Sequence, residues 1–429
     1  MLSTEENIRL TSTNAGTPMG ELFRRFWLPV LTLDELSEPD GPPLRLRVMG
    51  EELLAFRDTD GAIGIVSAYC AHRRASLYFG RNEGCGLRCV YHGWKYDVSG
   101  QCVEMPTEPA DSTFRERISI KSYPAREWGG LIWVYMGPPD RLPELPKLGW
   151  SLVPNSHRII ARTFHECNYM QGLEGEIDTA HISFLHKWFD DDYSYKGAVT
   201  ASTQFDPAPR LTVQETDYGF VYGGRRDSPD GRYLWRLTHW LAPTYAVVPY
   251  PSWPRGDKIW VPIDDRHAVA FSVYYHRDRP LTDEERANFG AGLVNAPELE
   301  RCAFELPDGP IVDIWRPKHH RGRDYDLDRD IQRTRNFTGI RAVADQDRAM
   351  VEGMGRIVDR TEEHLGTTDI AVITARRRLL RMSRELEQGI EPFAALHGDL
   401  YSVRATVTTS DEEDFHRLLA SVADELVAR

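Results

Sequence analysis

Cysteine is scarce in this chain: six in 429 residues, at positions 70, 85, 89, 102, 167 and 302. Their uneven spacing excludes a small disulfide framework of the secreted kind and points to a reduced, cytoplasmic setting. Long apolar runs are missing. The longest, around WGGLIWVYMG, falls well short of the roughly twenty residues that a membrane-spanning helix needs. An excess of positive charge is missing too. With 52 Lys and Arg against 65 Asp and Glu, the net charge is −13. Such a surface repels nucleic acid and anionic lipid, so neither is an expected partner. The first residues, MLSTEENIRL, carry charges where an export signal needs an apolar stretch. There is no glycine-rich nucleotide-binding motif, no internal repeat and no low-complexity tract.

What is present suffices for a large core: 41% of residues are hydrophobic, and the length favours two or three domains. Residues 1–27 read as a helical segment, with Met19, Leu22, Phe23 and Phe26 at helical spacing. From there to about residue 140, short β-rich runs such as LRLRVMG, ELLAFRD and GGLIWVYMG alternate with turn pairs. This reads as a small antiparallel β-domain. The proline-rich GPPDRLPELPKLGW (137–150) suits a boundary. A larger mixed region follows, with strands in YGFVYGG, YLWRLTHWLAP, YAVVPYP and HAVAFSVYYH. Residues 344–389 are helical in period. A last helix is expected after Ser410 and Glu413, which stand at capping-box spacing ahead of Phe415, Leu418, Leu419 and Val422.

Two of the six cysteines stand in YCAHRRASLYFGRNEGCGLRCVYHGW, each beside a histidine: Cys70 with His72, and Cys89 with His92. The pattern is C-x-H-x16-C-x2-H. A four-ligand zinc site is the first alternative, but zinc fingers pair Cys with Cys and His with His. One Cys and one His on each arm suit a Rieske [2Fe–2S] centre, in which two thiolates hold one iron and two imidazoles the other. Gly84, Gly86 and Gly93 would let the two loops close over the cluster. Cys85, Cys102, Cys167 and Cys302 read as inert small apolar residues.

A cluster of this kind only moves electrons. LEGEIDTAHISFLH (173–186) supplies Asp178, His181 and His186. Two histidines and a carboxylate form the facial triad of non-haem Fe(II) oxygenases, with positions left open for O2. On an ideal helix His181 and His186 lie about 140° apart, so the segment must break or widen between them. Asp178 is three residues before His181, and can be the carboxylate ligand or a partner of the His181 ring. ADQDRAMVEGMGRIVDR (344–360) offers another carboxylate. Asp347 shares a helical face with Met350, Val351, Met354 and Val358, which predicts that it points inward; Asp345 then points outward. On this facing, Asp347 is favoured as the ligand over Asp178.

Together the two sites resemble the oxygenase (α) component of Rieske non-haem iron oxygenases, of the phthalate-dioxygenase type. The resemblance extends over GTPMGELFRRFWLPV, both cysteine–histidine loops, NYMQGLEGEIDTAHISFLH, PRLTVQETDYGFVYGG and NFTGIRAVADQDRAMVEGMGRIVDRTEEHLGTTD. It implies an α+β fold: a Rieske domain (28–147) after the N-terminal segment (1–27), then a helix-grip catalytic domain with an antiparallel sheet and helices (148–429). It implies His181, His186 and Asp347 on a mononuclear Fe(II), with Asp178 as a bridge between metal centres rather than a ligand. Glu174 stands four residues before Asp178 and is either structural or a support of the site. The implied assembly is a homotrimer, or stacked trimers, working with a separate NAD(P)H-dependent reductase that carries flavin or iron–sulfur groups. The implied reaction uses O2 to hydroxylate an aromatic substrate, an aromatic carboxylate in particular, to a cis-dihydrodiol; O-demethylation of a methoxylated aromatic acid is the alternative. A simple Rieske electron carrier is the rival, and the second metal motif argues against it. Arg210 and Arg236 are the substrate-anchor candidates in this resemblance. Trp235 and Trp240 read as core rather than pocket wall.

Overall fold

The computed structural model describes residues 2–189 and 201–428. Two short helices open it, α1 (Thr4–Thr11) and α2 (Pro18–Phe23). Ser3 and Glu6 cap α1 reciprocally, and Thr17 caps α2 with Pro18 in its first turn. The expected continuous helical segment is thus broken between them, at a turn where Gly16 has φ +81°. It also ends early, because Trp27 already begins a strand.

Three small antiparallel sheets make up the first β-domain. Trp27–Thr32, Leu131–Tyr135 and Ala125–Trp128 form one. Leu44–Val48, Glu51–Arg57, Ile63–Ser67 and Ser122–Tyr123 form the second. In LRLRV the leucines and valine are buried while the arginines between them are half-buried, as strand alternation requires. The third sheet comprises Arg81–Asn82, Leu87–Arg88, Lys95–Tyr96 and Cys102–Glu104. It has its own core, in which Cys70 and Cys89 pack with Leu54, Phe56, Leu77 and Tyr96.

The second domain is built on an eight-stranded antiparallel sheet. Its strands are β1 (Arg158–His165), β2 (Arg210–Thr216), β3 (Gly219–Asp227), β4 (Tyr233–Leu241), β5 (Tyr245–Val247), β6 (Arg255–Asp264), β7 (His267–Tyr275) and β8 (Thr406–Ser410). The order is β1-β7-β6-β5-β4-β3-β2, with β8 pairing along β4 beside β5. Helices α3 (Tyr169–Ile177) and α5 (Ile370–Glu387) pack on this sheet, and α4 (Val343–Gly353) packs against α3. No helix among the described residues is long and apolar enough to cross a membrane.

The long helical period expected over 344–389 resolves into α4 and α5 with a non-helical link between. Gly355, at φ +97°, follows the end of α4. The link then carries Arg356 to Glu166 and Arg360 to Glu174, ion pairs that a continuous helix would not deliver. At the C-terminus Ser410 is the last residue of β8, and the helix α6 (Phe415–Ser421) starts later, capped by Asp414. Glu413 pairs instead with Arg225.

Asn168 caps α3 and is fully buried, its amide donating to the carbonyls of Thr11 and Asp265. Gly172 lets α3 press on β6, since a Cβ there would meet the Trp260 ring at 2.2 Å. Alanine in a helix gains about 1 kcal/mol over glycine, but overpacking costs typically about 1–3 kcal/mol and more against a fixed ring. Trp260 is 2% exposed and has no room to yield. Gly172→Ala should therefore lower the melting temperature by several degrees in calorimetry; an unchanged or higher value would show that α3 is not held this tightly.

Candidate metal centres

The two cysteine–histidine loops fold alike. Cys70 N–H donates to Ala75 O and Arg74 N–H returns to Cys70 O, while Cys89 N–H donates to Trp94 O and Gly93 N–H returns to Cys89 O. Gly93 has φ +78°, and a Cβ there would meet the Pro106 ring at 2.6 Å, so this turn needs glycine. The thiols lie inside, Cys70 at 1% and Cys89 at 2% exposure, and neither forms a disulfide. The imidazoles lie outward: His72 is exposed, His92 is half-buried, and their ring centroids are 4.4 Å apart. The His72 ring stacks on Trp94. Burial pushes the Cys70 thiol up, and the neighbouring Cys89 adds to it against the Tyr96 hydroxyl 3.2 Å away. A pair of buried, unbridged thiols fits a bound cation, which supplies the charge that burial denies them. Of the other cysteines, Cys102 and Cys167 are buried. Cys85 departs from the inert reading: its thiol donates to Asp60 at 3.3 Å, from a residue at φ +60°.

The second centre is assembled from α3, the turn after it, and α4. The distortion expected between the histidines is present. α3 ends at Ile177, Asp178 is extended, a 3-10 turn over His181–Ser183 ends at Phe184, and residues 184–186 are turn. His181 Nε2 and His186 Nε2 are 3.2 Å apart. Asp347 Oδ1 lies 3.0 Å from His186 Nε2 and 3.6 Å from His181 Nε2. Metal–ligand bonds of about 2.0–2.2 Å place neighbouring donors about 3 Å apart, so this set fits one ion. Burial alone would push the Asp347 carboxyl up, but His186 and His181 hold it well below the usual carboxylate range.

Each histidine is also held from its other nitrogen. Asp178 Oδ2 faces His181 Nδ1 at 3.4 Å, while its Oδ1 accepts the Ala180 N–H. The His186 Nδ1 proton goes to Gln346 Oε1, 2.7 Å away, and the Gln346 amide donates in turn to Ile340 O. Gln346 was not legible as a site residue: adjacent residues point about 100° apart on a helix, and no charge marks it out.

The expected facing of α4 is contradicted in part. Asp347 does reach the histidines, but from a half-buried pocket face, and Met350 and Met354 are 46% and 54% exposed. Asp345, expected outward, is 1% exposed. The buried side of α4 is mixed, with Asp345, Arg348 and Glu352 beside Ala349 and Val351, and a hydrophobic pattern cannot reveal the charged part.

The substrate-anchor candidates separate by register. Arg210 pairs with Arg225 across β2 and β3, whereas Arg236 pairs with Gly224, one position on. They therefore lie on opposite faces of the sheet. Arg236 is buried and lines the cavity beside the donors, with Tyr222 and Thr238. Arg210 is 54% exposed and pairs with Asp206 and Asp227, so it is corrected to a surface residue. Trp235 and Trp240 are core, against Phe415 and Phe220. Glu174 is taken up by Arg360 of the link and Arg376 of α5, which tie α3 to both. The sequence reading missed two further groups. Lys258 and Glu176 form an ion pair of 2.5 Å in the cavity wall. Arg226, fully buried, donates to Thr179 O.

An iron–sulfur type donor set in a β-domain, joined to a sheet-and-helix domain with a set of two histidines and one carboxylate, defines an electron-fed metal-dependent oxidoreductase. Comparison with known proteins agrees. Residues 26–124 match the Rieske [2Fe-2S] domain model and residues 134–408 the model described as LigXa C-terminal domain like. The chain is 41% identical to the phthalate 4,5-dioxygenase oxygenase subunit of Pseudomonas putida, over 89% of this chain and 86% of that one. It is 31% identical to the 5,5'-dehydrodivanillate O-demethylase oxygenase subunit of a Sphingobium species, over 92% and 84%. The fold is shared with dicamba monooxygenase bound to dicamba, at TM-score 0.60 and 17% identity, covering 85% of this chain and 98% of that one. The chain thus belongs to the Rieske non-haem iron oxygenases, as an oxygenase component. Its cofactors are a Rieske [2Fe–2S] cluster and a mononuclear iron, and O2 is its co-substrate.

Loss of an outer hydrogen-bond partner of a metal-bound histidine typically costs about 10–100-fold in metal affinity. Gln346→Leu should weaken Fe(II) binding at the mononuclear site by that much, while Gln346→Glu, which keeps an acceptor at His186 Nδ1, should not. Chelator competition measures both. Equal affinity in Gln346→Leu and the native protein would remove the role given to Gln346.

Proposed function

We propose that Cys70, Cys89, His72 and His92 hold the cluster, in a domain spanning residues 28–147 after an N-terminal segment 1–27. His181, His186 and Asp347 hold the mononuclear iron in a catalytic domain spanning 148–429. The observation that carries this reading is the donor set at 3.0–3.6 Å, with Asp178 behind His181 rather than among the donors. When bound, the cluster supplies electrons one at a time and the mononuclear iron the activation of O2.

The substrate is an aromatic carboxylate. Arg236 supports this as a buried cation in the cavity wall, able to make a charge-assisted bond to a carboxylate. The cavity itself is about 80 Å³, less than the roughly 150 Å³ that holds a benzene ring. A larger cleft of about 760 Å³ adjoins it across Val343. cis-Dihydroxylation is the reading favoured by the similarity to the phthalate 4,5-dioxygenase subunit. O-demethylation is the second reading, favoured by the O-demethylase relative. Electrons come from NAD(P)H through a separate reductase. The six free thiols suit a reducing, cytoplasmic compartment.

Asp178 bridges the centres of two subunits in a trimer. Its carboxylate is partly exposed, with Phe184 and Phe337 exposed nearby; His72 is exposed beside Val90 and Tyr91. Exposed apolar residues around both metal sites fit surfaces that meet another chain.

The direct test is reductase-coupled O2 uptake across a panel of aromatic acids, with product measured. One or more acids should stimulate uptake stoichiometrically with product. Arg236→Ala should raise the KM for that acid about 10–150-fold; no stimulation by any acid would sink the carboxylate assignment. In single turnover, Asp178→Asn should keep both iron sites but slow cluster reoxidation by substrate and O2 by several orders of magnitude. Loss of the mononuclear iron in that variant would make Asp178 a ligand instead.

A further inference from the structure

Behind the metal face of α4 lies a second, fully enclosed set of charges. Asp345, Arg348 and Glu352 are spaced i, i+3, i+7, so they form one stripe along the helix. Their exposures are 1%, 1% and 2%. Asp347 lies about 200° round the helix from Asp345, on the side of the iron donors. Burying three charges on a helix is costly unless they are paired. Here Arg348 Nη2 lies 3.0 Å from Asp345 and Nε 3.8 Å from Glu352. Glu352 Oε1 accepts the Glu166 N–H, and Glu352 Oε2 accepts the Tyr325 hydroxyl at 2.6 Å.

Tyr325 reaches that position by an unusual backbone. Asp324, Tyr325 and Asp326 have φ of +48°, +56° and +51°, a left-handed run that L side chains rarely adopt. Such conformations persist only where the surroundings over-determine them. The run is pinned by Asp326, which is bonded to His319 and Arg323. Inside, the Tyr325 ring lies under the Arg348 guanidinium, 5.3 Å from its centroid. A tyrosine hydroxyl on a buried carboxylate, offered by a strained turn, fixes both the rotation and the axial position of the helix that carries the carboxylate.

We propose that Tyr325, acting through Glu352 and Arg348, is a positioning residue that sets where Asp347 meets the mononuclear iron. The proposal rests on Asp347 being an iron ligand. α4 is held between two charge systems: the donors on one side and the buried stripe on the other. Asp347 and Gln346 are both on this helix, so a small rotation shifts a ligand and the partner of His186 together.

The test uses full-length protein with its cluster oxidised and EPR-silent. Fe(II) affinity is measured by chelator competition, and the mononuclear site is probed by the EPR signal of its nitric oxide adduct. Tyr325→Phe and Glu352→Gln should each weaken Fe(II) binding about tenfold or more and shift the rhombicity of that signal, at unchanged cluster absorbance. Tyr401→Phe is the structural control: it also loses a buried hydroxyl bond, to Ala242 O, and should keep native iron affinity and signal. Where Tyr325→Phe fails to fold, Glu352→Gln carries the same comparison. Native iron affinity and signal in the folded variants, with iron lost in Asp347→Asn, would overturn the positioning role alone. Native affinity in Asp347→Asn would overturn the ligand assignment and this proposal with it.

Discussion

His186 is gripped at both ring nitrogens by one turn of one helix: Asp347 Oδ1 at Nε2 and Gln346 Oε1 at Nδ1. The catalytic domain is arranged to make that grip possible. A neutral imidazole presents one lone pair, and it is free for a metal only if the other nitrogen carries the proton. Gln346 accepts that proton and is itself fixed by Ile340 O. Asp178 does the equivalent for His181 with a carboxylate, a stronger acceptor. The two histidines are thus held by chemically different partners. The charged one lies on the side of α3, beside partly exposed surface, and the neutral one is interior.

The same logic, reversed in depth, governs the first domain. Both thiols are in its core and both imidazoles face outward. A cluster held this way has its thiolate-bound iron insulated and its imidazole-bound iron toward solvent or a partner. That polarity is what the proposed electron route through the histidine side requires. The aromatic packing suits the same arrangement: His72 stacks on Trp94, which keeps an exposed imidazole in one orientation without burying it.

Much of this was legible in the sequence, for reasons that differ by element. The two cysteine–histidine loops are local in the chain, so their spacing alone suggested the proposed cluster donors, and residues 26–124 match a Rieske domain. His181 and His186 are also local, and their 140° separation on an ideal helix called for a distortion, which the chain supplies: α3 ends at Ile177, and a 3-10 turn and then turn residues run between the two histidines. Asp347 is remote, and it was reached from a wrong premise. Met350 and Met354 do not mark the interior, since both are exposed, while Asp345, Arg348 and Glu352 are interior. Hydrophobic periodicity reads burial through side-chain type, and it fails where buried positions are charged and paired. Arg210 and Arg236 were indistinguishable in sequence because side-chain facing depends on cross-strand register, which is set by pairings through β3. Cap positions such as Ser410 moved because a β8–β4 ladder outcompeted a helix start.

The central claim is that this chain holds three irons at two addresses: a pair between the cysteine–histidine loops and a single ion on His181, His186 and Asp347. Anomalous diffraction at the iron edge from crystals of the purified protein tests it most directly. The expected map has an elongated two-iron peak between Cys70, His72, Cys89 and His92, and one further iron with Asp347 as its carboxylate ligand. A zinc peak in place of the pair, or a single iron bound through Asp178 or Asp345, would contradict it.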